Sequence, residues 1–369
     1  MSAKNFPLTK IKGFGSAFPD MVYTQDEIAK LFAITNPTVL KLMASGHVKT
    51  RHLYLPPLAP KAAKLRFETP NDLHKKFKQG ILDIGVKATQ RALDHAGLDA
   101  SDIDVLIAVT STGFLVPGVS SLVSRSLGMK QNLHRMDIVG MGCNAGMSAL
   151  YSGAKMSCAN PEQNILVLCC EVNSASYVRD DTVRTGIVNS LFGDGATALI
   201  LNKVRHTGRD AGIRSRKSGS RAQLSIYDFE SFTIPEQHGA MTFTWDEAQN
   251  KWSFYLSKDI PFVIGNHVQI PVQRLLDRNG ITKQDIKHWV LHTGGGAVID
   301  GAKKSLNLRE DDVRHTRSVL RDYGNISSGS FIMSLERLHE EDKIEQDDLG
   351  VFIAMGPGAT MEAALVRWD

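Results

Sequence analysis

Three residues carry side chains and surroundings suited to chemistry. Cys143 lies in Asp137-Ile-Val-Gly-Met-Gly-Cys-Asn-Ala-Gly-Met-Ser-Ala-Leu150, an apolar stretch that runs through glycines into small, helix-compatible residues. A thiol at such a strand-to-helix junction meets the positive end of a helix dipole, which favours thiolate; burial opposes this and calls for a cationic partner. His292 follows Trp289-Val-Leu291 and precedes Thr293-Gly-Gly-Gly296. That pattern predicts an imidazole at the end of a buried strand, beside glycines that let a ligand approach the backbone. The other histidines, among them His74, His206, His315 and His339, stand among charges and are expected at the surface. Asn325, in Tyr323-Gly-Asn-Ile-Ser-Ser-Gly329, begins a second small-residue stretch, where a helix N-cap is the bland alternative.

These residue types divide the work of acyl condensation. Cys143 is the candidate nucleophile that carries an acyl chain as a thioester, His292 its electrostatic partner, and His292 with Asn325 the donors to an oxygen that gains enolate charge. No carboxylate is apparent in the set, so decarboxylative carbon–carbon bond formation is more natural than water activation. A Cys-His-Asn hydrolase and a non-catalytic acyl-CoA-binding subunit are the competing classes. Cys158, Cys169 and Cys170 read as structural thiols, the first on a helix and the others on a core strand.

An internal repeat supplies the elements that would bring the three together. Arg91–Gly113 (RALDHAGLDASDIDVLIAVTSTG) reappears without gaps as Arg274–Gly296 (RLLDRNGITKQDIKHWVLHTGGG), half a chain later. Gly193-Asp-Gly-Ala-Thr197 echoes Gly356-Pro-Gly-Ala-Thr360, and Gly142-Cys143 stands opposite Gly324-Asn325. Three matches in one order indicate a duplication, which predicts two pseudo-equivalent helix starts facing each other across a two-fold axis. Each repeat reads as helix, glycine stop and buried strand: Ile81–His95 has helical apolar spacing, Gly97 is its C-cap, and Val105–Val109, Ile165–Cys170 and Val351–Met355 are continuously apolar. Strands of that kind are covered on both faces. The expected fold class is therefore α/β, in halves 1–205 and 206–369, joined by a basic, glycine- and serine-rich stretch at 203–221.

Composition narrows the classes further. With 42% hydrophobic and 22% charged residues the chain is globular, and its 369 residues suffice for two large cores. No apolar run approaches a membrane span and no apolar leader opens the chain, so a cytoplasmic location is expected. A net charge of +4 does not point to nucleic acid, though it tolerates an anionic substrate. The four cysteines lack CxxC spacing and neighbouring ligand histidines, which argues against a disulfide frame and against a metal.

Over nearly its whole length the sequence resembles the chalcone-synthase-like type III polyketide synthases of the thiolase superfamily. The likeness rests on the turn Gly142-Cys143-Asn-Ala-Gly146, on Asn189-Ser-Leu-Phe192-Gly-Asp-Gly195, on His292 with its glycines, on Tyr323-Gly-Asn325-Ile-Ser-Ser328 and on Met355-Gly356-Pro357-Gly358. It implies a duplicated thiolase-like fold in five αβαβα layers, a homodimer, and Cys143, His292 and Asn325 as the catalytic triad. Phe192 and Phe254 match gatekeeper positions between a CoA tunnel and an inner cavity; Ser111, Val116 and Ser176 match cavity positions, Val116 where the neighbouring subunit would protrude. No cofactor is implied beyond CoA thioester substrates, with malonyl-CoA as building block and no acyl carrier protein. One departure concerns CoA: where plant members carry several basic residues in an early helix, only Lys41 matches and Ser45 stands at another basic position. Lys49, Arg51, the basic stretch, Gly294, Gly295 and Ala297 are the remaining candidates for holding it.

Val109-Thr-Ser-Thr-Gly-Phe-Leu115, Val313-Arg-His-Thr316 and Val319-Leu-Arg-Asp-Tyr-Gly-Asn325 are similar to the bacterial subgroup that makes 3,5-dihydroxyphenylacetyl-CoA. That resemblance implies malonyl-CoA as both starter and extender and an aromatic tetraketide product. An alkylresorcinol, a pyrone or tetrahydroxynaphthalene would need the same catalytic residues around a different cavity. A ketoacyl synthase III-like condensing enzyme is the more distant alternative.

Overall fold

The computed structural model describes residues 7–55, 68–203, 223–341 and 343–369. The expected boundary at 205/206, His206 and the basic stretch beyond Lys203 lie outside them.

The first half opens with β1 (Thr9–Ala17), followed by the paired short strands β2 (Val22–Thr24) and β3 (Thr50–His52), which bracket helices α1 (Gln25–Leu31) and α2 (Pro37–Met43). Then come α3 (Pro70–Ala96), β4 (Ile103–Thr110), α4 (Val119–Ser126), β5 (His134–Val139), α5 (Ala145–Ala159), β6 (Asn164–Glu171), α6 (Val183–Leu191) and β7 (Gly195–Asn202). The second half begins with β8 (Leu224–Thr233) and the hairpin β9 (Met241–Asp246) and β10 (Lys251–Leu256). It continues through α7 (Ile260–His267), α8 (Gln269–Asn279), β11 (Ile286–Leu291), α9 (Gly296–Ser305), α10 (Arg314–Tyr323), α11 (Ser330–Glu340), β12 (Leu349–Gly356) and β13 (Thr360–Trp368).

The repeated segment folds the same way twice. Helix α3 starts from Thr69, whose side chain accepts from Asp72 N, and stops at Gly97 with φ 67°; its repeat α8 stops at Gly280 with φ 68°. Both glycines take the left-handed conformation that a residue with a Cβ adopts at a cost. Each is followed by a short 3₁₀ turn and a strand, β4 in one half and β11 in the other.

Nine strands form one sheet in the order β11-β12-β13-β8-β1-β7-β6-β4-β5. From its outer edge the first half runs β5-β4-β6-β7-β1, with two parallel pairings and then two antiparallel ones. The second runs β11-β12-β13-β8, with one parallel and then two antiparallel pairings, and among the described residues has no counterpart of β5. The halves join where β1 pairs with β8. Helix α5 packs on β4 and β6 of its own half and on β12 and β13 of the other, while α11 packs on β11 and β12 and on β7 and β1. Helix α3 covers the outer face of β1, β6 and β7, and α8 that of β8 and β13. The five αβαβα layers follow.

Side-chain alternation explains the uninterrupted apolar strands. Ile107, Val109, Ile165 and Val167 point to the central layer with Met147 and Phe331, whereas Leu106, Ala108, Leu166 and Leu168 point outward under α3. The stretch before Cys143 differs from that pattern. It is a strand, β5, but it lies at the sheet edge and leaves Met136 and Val139 exposed. His339 also departs from expectation: it is buried, and its Nε2 accepts from Trp368 Nε1 at 3.1 Å. Among the described residues no helix is long and apolar enough to cross a membrane.

Candidate active site

Where α5 and α11 begin, the two halves meet at their closest. A Cβ on Gly146 would overlap the carbonyl oxygen of Ser328, and one on Gly329, just ahead of α11, would stand 2.5 Å from Thr197 Oγ1. Only glycine lets these helix starts abut. Cys143 sits in the 3₁₀ turn Gly142–Asn144 just ahead of α5, and its Sγ accepts from Ser327 Oγ at 3.5 Å. Asn325 precedes the corresponding turn of α11. Its Oδ1 accepts from Ser327 N at 2.7 Å, which fixes the amide and turns Nδ2 away from that bond. His292 follows the last residue of β11, as expected, with Nδ1 2.5 Å from Ser330 Oγ. The side chains of Cys143, His292 and Asn325 line one narrow slot of about 20 Å³, together with Phe192, Phe254, Gly294 and Met355.

Burial governs the charge states. It pushes the Cys143 thiol up to about 11, against the hydrogen bonds from Ser327 and Asn325, and the nearby Glu171 carboxyl acts in the same direction as burial. Burial likewise pushes the His292 imidazole down to about 3. Each group taken alone is therefore neutral at pH 7, so the helix dipole does not by itself produce a thiolate. Glu171 corrects the expectation that no carboxylate stands near. Fully buried at the end of β6, it accepts from Ser328 Oγ at 2.6 Å, Ser111 N at 2.8 Å and Thr112 Oγ1 at 3.1 Å. Nothing in the local sequence marks it, because it reads as the last residue of an apolar strand.

Beyond the slot lies a chamber of about 330 Å³, lined by Cys143, Ser111, Ser176, Phe192, Phe254 and Pro357 among others. Phe192 and Phe254 meet edge to face, centroids 5.8 Å apart. Phe192 is tied to the Asn325 segment by backbone: Asn325 N donates to Leu191 O at 2.9 Å and Gly193 N to Asn325 O at 3.0 Å. The Gly356-Pro357-Gly358 loop closes over the nucleophile turn, since a Cβ on Gly142 would overlap the Pro357 ring and one on Gly356 the Asn144 side chain. Gly358 adopts φ 73°. Val116 is 82% exposed and does not line this chamber of its own subunit.

The candidates for CoA are scattered. Lys41 and Lys49 are exposed, the first in the last turn of α2, and Ala297 is exposed near the start of α9. Gly294 lines the slot, and Gly295 has φ 119° as the cap of α9. His47, which the sequence did not single out, lies against Gly296. Arg51 is not a CoA contact. It is fully buried, and its guanidinium donates to Phe192 O at 2.9 Å, Tyr177 Oη at 3.1 Å and Gln25 Oε1 at 2.8 Å. A basic residue in sequence does not reveal that its charge is turned inward to hold a carbonyl.

Comparison with known proteins bears on the same halves. Residues 4–203 match the family model "Chalcone and stilbene synthases, N-terminal domain", and residues 229–368 match the corresponding C-terminal domain. The chain is 43% identical to the 3,5-dihydroxyphenylacetyl-CoA synthase of Amycolatopsis orientalis over 361 residues, which cover 98% of this chain and 94% of that one. It is 29% identical to the 1,3,6,8-tetrahydroxynaphthalene synthase of Streptomyces coelicolor, over 95% of this chain and 90% of that one. The crystal structure of a tetrahydroxynaphthalene synthase from that species superposes with a TM-score of 0.84 at 26% identity, over 98% and 99% of the two chains. The fold of a brown-algal enzyme, PKS-I from Ectocarpus siliculosus, matches with a TM-score of 0.87 over the full length of both chains at 23% identity. With both halves matched, and a relative this similar from end to end, the chain belongs to the chalcone and stilbene synthase family, the type III polyketide synthases.

Proposed function

We propose that this enzyme loads malonyl-CoA onto Cys143 and extends it with further malonyl-CoA units. The tetraketide then loses the primer's free carboxyl as carbon dioxide, the carbon so exposed closes a six-membered ring on the ketone nearest the CoA thioester with loss of one water, and 3,5-dihydroxyphenylacetyl-CoA results, on a homodimer and without an acyl carrier protein. The observation that carries this reading is the convergence of Cys143, His292 and Asn325 on one slot at the mouth of an apolar chamber. The product is supported by 43% identity to an enzyme named for it.

In the loading step the Cys143 sulfur attacks the thioester carbonyl while its proton passes to His292 and on to the departing CoA sulfur. Moving that proton creates two opposite charges at once, and each offsets the other's loss of water. A second malonyl-CoA then sets its thioester oxygen between Asn325 Nδ2 and His292 Nε2. Ser330 Oγ, 2.5 Å from Nδ1, fixes the ring with Nε2 toward the slot; Nε2 takes the thiol proton in the tautomer that leaves it bare and donates to the enolate oxygen in the tautomer that carries its proton there. The bond from the malonyl methylene to its carboxyl breaks, carbon dioxide leaves, and the electron pair forms an enolate whose oxygen both donors hold. The rings of Phe192 and Phe254 give the carboxylate no compensation for lost water, which favours its departure. The enolate carbon attacks the Cys143 thioester, the sulfur leaves, and the lengthened chain returns from CoA to Cys143 for the next round.

Incubation with malonyl-CoA alone and mass spectrometry of the products tests the assignment. The expected outcome is an aromatic tetraketide CoA ester. No product from malonyl-CoA alone, with resorcinols or pyrones appearing only when a fatty acyl-CoA is added, would overturn the starter assignment.

A further inference from the structure

The carboxyl end of α6 runs straight into the slot, and each of its last four carbonyls has a partner. Val188 O accepts from Phe192 N at 3.1 Å and Leu191 O from Asn325 N at 2.9 Å. Ser190 O accepts from Gln25 Nε2 at 2.7 Å, and Asn189 O accepts from the Arg51 guanidinium. The same guanidinium donates to Gln25 Oε1, to Phe192 O and to the hydroxyl of Tyr177, which itself donates to Phe192 O. A buried cation is costly unless hydrogen bonds replace its water, and here the carbonyls at the negative pole of α6 supply them. Phe192 is thereby held at both of its backbone groups. Its ring lines the slot and the chamber alike, and Tyr177 lines the chamber. The flanking segments abut closely: a Cβ on Gly193 would overlap Tyr323 O, and one on Gly324 would stand 2.5 Å from Leu191 O and 3.0 Å from the Arg51 stem.

We propose that Arg51 and Tyr177 are positioning residues for decarboxylation: by holding the Phe192 carbonyl they fix the strip Leu191–Gly193, and with it the Asn325 side chain that takes up enolate charge. The inference rests on the oxyanion role given to Asn325 above and names the groups that keep that donor in place. The path is short. Asn325 is bonded to the strip at both backbone groups, its N to Leu191 O and its O to Gly193 N, so a displacement of Phe192 passes to Asn325 through backbone rather than through flexible side chains. Oxyanion stabilisation depends on a preset donor distance, and a misplacement of about 1 Å costs on the order of a hundredfold. Neither Arg51 nor Tyr177 lines the slot, so their influence on the chemistry runs through Asn325.

The test is a double-mutant cycle read as release of labelled carbon dioxide from malonyl-CoA, per folded enzyme, by wild type, Tyr177→Phe, Asn325→Ala and the double variant. Tyr177→Phe removes one hydroxyl while keeping the ring and leaving Arg51 on the Phe192 carbonyl, so folding does not depend on it as it does on the buried cation. It is expected to lower kcat for decarboxylation by about three- to tenfold, the size of one hydrogen bond, with KM unchanged. In the Asn325→Ala background the same substitution is expected to change nothing, because the group it positions is gone. A role confined to stability would slow both backgrounds by one factor. Tyr177→Phe at the wild-type rate, or slowed equally in both backgrounds, overturns the inference. The two readings fail distinguishably. Decarboxylation by Asn325→Ala at the wild-type rate removes the oxyanion role and this inference with it, whereas a slow Asn325→Ala beside an unaffected Tyr177→Phe removes only the positioning by Arg51 and Tyr177.

Discussion

At Cys143, His292 and Asn325 the roles divide according to which step needs a covalent anchor. Decarboxylation requires only donors to the enolate oxygen, and Asn325 Nδ2 faces the slot beside Cys143 because Ser327 N holds the other end of the amide. Chain growth needs the thiol as well. Cys143→Ala is therefore expected to release carbon dioxide from malonyl-CoA while forming no polyketide. Asn325→Ala should slow decarboxylation on the order of a hundredfold or more through loss of one oxyanion donor. Trapping of released labelled carbon dioxide, run beside product chromatography, separates the two. Wild-type decarboxylation by Asn325→Ala, with none from Cys143→Ala, would reverse the assignment.

At the scale of the elements, what positions these groups is the contact between two helix starts, and glycine acts there by absence of bulk. A methyl at Gly146 would run into the Ser328 carbonyl and the Cys169 side chain. Backbone cannot move aside as a flexible side chain can, so Gly146→Ala is expected to cost about 1–3 kcal/mol by overpacking, and to separate Cys143 from Asn325 so that condensation falls further than stability. Gly97 gives the contrast: nothing lies within 4 Å of the position a Cβ would take, and only its φ of 67° resists substitution. Gly97→Ala is expected to cost about 1 kcal/mol by strain and to leave turnover per folded enzyme unchanged. Urea unfolding together with kcat distinguishes the steric glycine from the conformational one.

For the whole molecule the most exposed feature is the outer edge of the first half. Among the described residues strand β5 ends the sheet with unpaired backbone, and Met136 and Val139 on it are exposed, as are Phe114 and Val116 on the loop after β4 and Trp252 of the β9–β10 hairpin. Edge strands of soluble proteins are usually shielded by charge or covered, and an apolar patch beside one marks an interface. A second copy pairing along β5 would cover this edge. Val139→Lys is accordingly expected to yield monomers by light scattering and to lose tetraketide formation. A wild-type chain that is monomeric at micromolar concentration and fully active would remove the dimer from the reading.

The sequence by itself determined the repeat, the buried strands, the glycine stop at Gly97 with its repeat partner Gly280, and Cys143, His292 and Asn325 as the candidates that the fold then brings to one slot. These are legible because periodicity and local backbone chemistry are written in neighbouring residues, and because a duplicated chain prints each half's pattern twice. What only the tertiary structure decided depends on residues far apart in sequence. Glu171 reads as a strand end, yet folding sets it among Ser111, Thr112 and Ser328 and so against the thiol. Arg51 reads as a surface base, yet it is closed inside and grips the Phe192 carbonyl. Val116 matched a cavity position where a neighbouring subunit would protrude, and only the fold shows that it lies outside its own subunit's chamber. The reason is physical: charge state and access are set by what surrounds a side chain in space, and desolvation strong enough to raise a thiol to about 11 arises only when the layers close over it.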